Sequence, residues 1–148
     1  MKPISTHVPQ IFVRNLQRRM AVDRNALESF AERALQLCKA LPQNNTSALS
    51  NLRKIYVLVV SDRKISDLHR RFMHISGPTD VITFEHGELF ISAETACRQA
   101  KIFGTTFERE LRLYIVHGLL HLHGFDDRTS PGAREMERIQ ERILSSAV

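Results

Sequence analysis

Apolar positions along the chain alternate between strand-like and helix-like spacing, and the changes of spacing mark out the elements. Gln10 to Asn15 reads as a short strand. From about Asn25 to Leu41, apolar side chains recur at Leu27, Phe30, Ala31, Ala34, Cys38 and Leu41, the spacing of one helix face. Pro42 and the polar run Gln43 to Ser50 end that helix. Lys54 to Val60 is dense in β-branched and aromatic residues and reads as a buried strand. Ser61 is placed to cap a short helix through about Phe72, and Gly77–Pro78 signals a turn. Two strands follow, Asp80 to Glu85 and Glu88 to Ser92, separated by His86–Gly87 in a hairpin-like spacing. Ala93 to Lys101 is helical in pattern.

Thr105-x-x-Glu108 has the form of a capping box. The helix it starts runs to about His123, with Gly124 placed to terminate it. From Leu111 to Leu122 this helix is apolar nearly all round, so it is expected at the centre of the molecule. A last helix opens at Ser130–Pro131, with Ser as cap, and turns Met136, Ile139 and Ile143 inward. Intermixed helices and strands, one tight strand pair and one central helix predict an α+β fold. The expected architecture is a single small domain over 1–148, with a mixed β-sheet packed against helices.

Composition sets bounds on this picture. The chain has 148 residues, 43% hydrophobic and 25% charged, the profile of one ordinary globular domain. Its longest apolar run, Ile55 to Val60, is far short of the roughly 20 residues of a membrane span. No signal-peptide pattern opens the chain, so a cytoplasmic protein is expected. Cys38 and Cys97 form no metal-type spacing, and both are expected as buried free thiols. Lys and Arg number 21 against 16 acidic residues, a net charge of +5. That excess suits a polyanionic partner, most often nucleic acid. The charge is spread over Arg14, Arg18, Arg19, Arg24 and the pairs Arg53–Lys54, Arg63–Lys64 and Arg70–Arg71. Any basic surface must therefore be assembled by folding.

Chemistry is concentrated in HGLLHLHGFDD, residues 117–127. His117 and His121 lie four apart, so both imidazoles leave one face of the helix. Gly124 lets the chain turn back, and Asp127 can approach the same point from the loop. Two imidazoles and a carboxylate, with a fourth position left to water, are the layout of a catalytic zinc site at the end of the buried helix. Asp126 competes with Asp127 for that role, or else orients a ligand imidazole. His123, on nearly the opposite face, is read as structural or exposed. The spacing HxxxHxxGxxD is similar to the zinc helix of metzincin-type proteases. Their HExxH glutamate, the general base, is Gly118 here, which argues against peptide hydrolysis.

The same segment resembles HGxLHLxGYDH, the signature of the YbeY family of bacterial endoribonucleases. Upstream, Leu68, Phe72, Pro78–Thr79–Asp80–Val81, Ile82, Thr83 and Phe84 follow that family's LNxxYRxKDxPTDVLSF, and Ile91 to Ala100 follow ISxExAxxQA. The resemblance covers roughly residues 50 to 145. It implies a small α+β fold and one zinc ion per chain, held by His117, His121 and Asp127. It also implies single-strand-specific cleavage in maturation of the 3′ end of 16S ribosomal RNA, and ribosome quality control. The implied partners are ribosomal RNA and the small ribosomal subunit, with no membrane and no small-molecule cofactor.

Three departures stand out. Asp127 replaces a ligand that is His in most members, Met73 stands where the family has an Arg thought to hold RNA phosphate, and Glu88–Leu89 replace Asp-Ile. Arg70 and Arg71 neighbour Met73 but leave the helix in other directions. Glu85, Glu88 and Asp80 are the candidate general bases. Two alternatives accompany the endoribonuclease reading. One is a weakly catalytic or non-catalytic metal-containing ribosome-associated protein, and the other, disfavoured by Gly118, is a metalloprotease.

Overall fold

The computed structural model describes residues 7–42 and 47–147. Four strands form one mixed sheet: β1 (Gln10–Asn15), β2 (Lys54–Val60), β3 (Val81–Phe84) and β4 (Glu88–Ser92), in the order β1-β2-β4-β3. β1 and β4 both run parallel to β2, and β3 pairs antiparallel with β4 at the sheet's edge. Five helices complete the α+β fold: α1 (Arg24–Lys39), α2 (Asp62–Met73), α3 (Ala93–Phe103), α4 (Phe107–Leu122) and α5 (Ser130–Ser146). Among the described residues no helix is long and apolar enough to cross a membrane.

Alternation along the strands divides the core between the two faces of the sheet. Ile11, Val13, Val57, Val59, Leu89 and Ile91 face α1 and α4, with α5 packed outside α4. Leu58, Val60, Ile82 and Phe90 face α2 through Ile65 and Leu68. α4 is buried along most of its length, and Ile115, Leu119 and Leu120 are at most 1% exposed. Each such side chain contributes about 1.5–3 kcal/mol relative to an exposed one, so the position of α4 is strongly determined.

Several boundaries differ from the sequence expectation by a residue. α4 is capped by Thr106, whose hydroxyl accepts from the Arg109 N–H at 3.1 Å. Thr105 instead donates to the buried Glu110 at 2.7 Å, so the expected capping box is not formed. α5 is capped by Thr129 and not Ser130, with Thr129 Oγ1 accepting from the Gly132 N–H at 3.1 Å. β3 ends at Phe84, paired with Glu88, so the hairpin loop has three residues, Glu85, His86 and Gly87. The expected loop Gln43 to Ser50 lies outside the described residues at 43–46 and then forms a 3-10 turn, Ala48–Asn51, that buries Leu49. Cys38 is buried as expected, whereas Cys97 is only half-buried.

Candidate metal centre

The end of α4 is built to hold three side chains at one point. His117 and His121, one turn apart, both present Nε2 on the same side, and the two atoms are 2.9 Å apart. The helix closes on His123, and Gly124 takes φ +98, a left-handed conformation natural to glycine. The Gly124 N–H donates to the His121 carbonyl and the Phe125 N–H to the Leu120 carbonyl, each at 3.0 Å. This Schellman closure reverses the chain. Asp127 is thereby carried back, with its Oδ2 3.6 Å from His117 Nε2 and its Oδ1 3.8 Å from His121 Nε2. One ligand atom from each of the three residues lies within 4.8 Å of the others.

The hydrogen bond behind His117 fixes what its Nε2 presents. Gln140 Oε1 can only accept, so the His117 Nδ1–H donates to it, at 2.5 Å. With the His117 proton on Nδ1, its Nε2 brings a lone pair to the centre, beside the His121 ring and the Asp127 carboxylate. Two imidazole nitrogens and a carboxylate converge there, a donor set that suits a cation. Burial, reinforced by neighbouring His117, lowers the pKa of His121 against the pull of Asp127 and Asp126. That keeps the imidazole neutral and available as a ligand.

The other residues singled out in the sequence sort clearly. Asp126 stands apart from the group, accepting from Arg128 N at 2.7 Å and from Arg128 Nε at 2.5 Å. It therefore orients no imidazole; that role falls to Gln140, which the sequence pattern did not point to. His123 is structural: fully buried, it bonds Ser47 Oγ at 3.0 Å and the Leu41 carbonyl at 2.9 Å. A Cβ at Gly118 would lie 2.4 Å from Leu89 Cδ2 and 3.1 Å from Thr83 Oγ1. α4 thus packs directly on β3 and β4 there, leaving no room for the glutamate of a protease helix.

His117 and His121 open into a cavity of about 350 Å³, lined also by Met73, Asp80, Thr83 and Glu85. Of the three candidate bases, Asp80 and Glu85 therefore lie beside the histidines. Glu88 does not line the cavity and is held by His86 Nε2 at 2.6 Å. None of the described residues lining the cavity is Lys or Arg. Arg63, Lys64 and Arg70 line a separate cavity on the flank of α2.

Fold and site together define a class, a small α+β hydrolase with a candidate metal centre at the end of its central helix. Comparison with known proteins gives the family: residues 12–148 match the model described as Endoribonuclease YbeY, and the chain belongs to that family. It is 31% identical to the Frankia alni endoribonuclease YbeY, over 92% of this chain and 81% of that protein. It is 38% identical to the Acholeplasma laidlawii endoribonuclease YbeY, over 64% of this chain and 75% of that one. The solution structure of TM1509 from Thermotoga maritima superposes with a TM-score of 0.63 at 26% identity, over 93% of this chain and 88% of that one. Family membership makes the chain an endoribonuclease, a hydrolase of RNA.

Proposed function

We propose that this endoribonuclease is zinc-dependent and cuts single-stranded ribosomal RNA, with one ion per chain held by His117, His121 and Asp127. The observation that carries the proposal is the convergence of two imidazole nitrogens and a carboxylate within 4.8 Å, at a cavity of a ribonuclease-family fold. Two nitrogens and one oxygen suit zinc with a position left open. A bound zinc ion supplies Lewis acidity toward a phosphate oxygen and acidifies a water ligand.

The chain's own groups complete the chemistry. Asp127 contributes a negative charge where most relatives have a neutral ring, which lowers the net charge of the centre. Glu85, exposed at the rim, is the proton acceptor in this reading. The Asp80 carboxylate is engaged by its hydrogen bond from the Val81 N–H at 2.7 Å. The net charge of +5 supplies salt-dependent attraction to the RNA backbone. We assign the substrate to the 3′ region of small-subunit ribosomal RNA, and the protein to the cytoplasm, on the family resemblance.

A second reading, a metal-containing ribosome-associated protein with little catalysis, is favoured by Met73 and by a cavity lined with Asp80 and Glu85 and by no Lys or Arg among the described residues. One experiment decides between them: cleavage of a structured ribosomal RNA fragment by wild type, Asp127→Ala and His121→Ala, each with measured zinc content. The proposal expects about one zinc per wild-type chain, weaker binding in Asp127→Ala, and cleavage that disappears in His121→Ala. Equal cleavage by His121→Ala would overturn the metal-dependent reading. Subunit binding without cleavage would favour the second one.

A further inference from the structure

We infer that Phe72, Met73 and Ile75, at the C-terminal end of α2, form a subsite for an unpaired nucleobase of the RNA strand that enters the metal cavity. The inference rests on the proposed function and extends it to how the substrate is gripped. These three side chains, within four residues at the end of α2, are 58%, 44% and 50% exposed, large apolar groups left open to solvent. Met73 also lines the cavity that holds His117 and His121, so the patch is continuous with the site. β3 is the edge of the sheet, with Thr83 on the α4 side and Phe84 on the α2 side. A strand crossing that edge touches the patch on one side and the histidines on the other.

Neighbouring contacts brace the patch. The Phe72 ring stands edge-on to Phe84 at 5.2 Å, and Phe84 stands edge-on to the buried Phe90 at 5.8 Å. α2 ends on His74 at φ 57, with the His74 N–H donating to the Arg70 carbonyl and the Ile75 N–H to the His69 carbonyl. The His69 ring donates from Nδ1 to the Gly77 carbonyl at 3.0 Å, tying the following loop back onto the helix.

Charge selects the occupant. The Arg71 guanidinium lies 5.9 Å from the Phe72 ring centroid. Arg71 pairs with Asp67 at 3.5 Å, but Asp67 is shared with Arg70 at 2.9 Å, so the Arg71 charge beside Phe72 is only partly compensated. A half-exposed aromatic flanked by partly compensated arginine is the surface that single-stranded nucleic acid uses, the base stacking and the phosphate pairing. Duplex RNA cannot present a base face, because its bases are stacked within the helix. Met73 thus takes part in base contact at the rim of the metal cavity.

Fluorescence anisotropy with a labelled single-stranded oligoribonucleotide, across a salt series, tests this on the zinc-loaded full chain. Phe72→Ala is expected to weaken binding about 5- to 100-fold at every salt concentration without changing the salt slope. Phe72→Trp should restore affinity, and a perfect RNA duplex should bind Phe72→Ala and wild type alike. Arg70→Ala with Arg71→Ala should instead flatten the slope, by about one for each phosphate no longer neutralised. Met73→Ala serves in the same role if Phe72→Ala does not fold. If wild type cleaves in a His121-dependent way while Phe72→Ala and Met73→Ala bind the single strand as wild type does, the subsite is overturned alone. If wild type neither binds nor cleaves RNA, the proposed function falls with it.

Discussion

Gln140 is the residue whose removal most directly tests the candidate metal centre without touching a ligand. It reaches His117 from α5, 23 residues further along the chain, and accepts the Nδ1–H at 2.5 Å. In Gln140→Ala that acceptor is gone, and the imidazole is released to place its proton on Nε2, the tautomer with no lone pair on the atom that faces the centre. A hydrogen bond of about 1–1.5 kcal/mol biases the two tautomers by roughly five- to tenfold. Freedom of the ring to turn away adds to this, so a 10- to 100-fold fall in zinc affinity is expected, the usual range for such partners. The inward stripe Met136, Ile139 and Ile143 is unaffected, so the melting temperature of the metal-free protein should barely move. Competition for zinc against a fluorescent chelator at neutral pH measures the affinity directly. Gln140→Glu keeps an acceptor and adds charge, so it should bind at least as tightly as wild type. Wild-type affinity in Gln140→Ala would refute the reasoning, as would an equal loss in Gln140→Glu.

Three further outcomes follow from particular contacts. Gly118→Ala sets an overpacking cost of about 1–3 kcal/mol against Leu89 and Thr83, offset by about 1 kcal/mol of helix propensity. Urea unfolding should show Leu89→Ala relieving that strain, with the double variant at least about 1 kcal/mol better than additive, and strict additivity would disprove the close contact. Asp62 ties α2 to α3: burial opposes its charge, but hydrogen bonds from Arg98, Ser92 and Thr95 outweigh this and hold its pKa below the ordinary value. A depressed carboxylate stabilises above its unfolded pKa and loses that contribution as pH falls through the folded one. Asp62→Asn should therefore cost about 2 kcal/mol at neutral pH, and the gap from wild type should close below about pH 4; a gap constant with pH would contradict the assignment. Burial pushes the Cys38 thiol up to about 12, while Cys97 is half-buried. A thiol reagent on the native protein should modify Cys97 alone, and modification of both before unfolding would count against the packing around Cys38.

What the sequence by itself determined was whatever depends on neighbours along the chain. The faces of α1, α4 and α5, the Ser61 cap of α2 and the termination at Gly124 are written in consecutive residues. So is the grouping of His117, His121 and Asp127, because one helical turn and one Schellman closure suffice to bring them together. The caps of α4 and α5 slipped by one residue because adjacent hydroxyls, Thr105 and Thr106 or Thr129 and Ser130, satisfy the same pattern. Only the packed environment chooses between them, as when Glu110 takes the Thr105 hydroxyl. Tertiary structure alone decided the rest: the parallel pairing of β1 with β2, Gln140 behind His117, and Leu89 against Gly118. It also set Glu85 and Asp80, but not Glu88, beside the histidines, and brought Met73 into their cavity. These relations join segments far apart in sequence, and no local period or cap records which distant surface the sheet will carry to a given side chain.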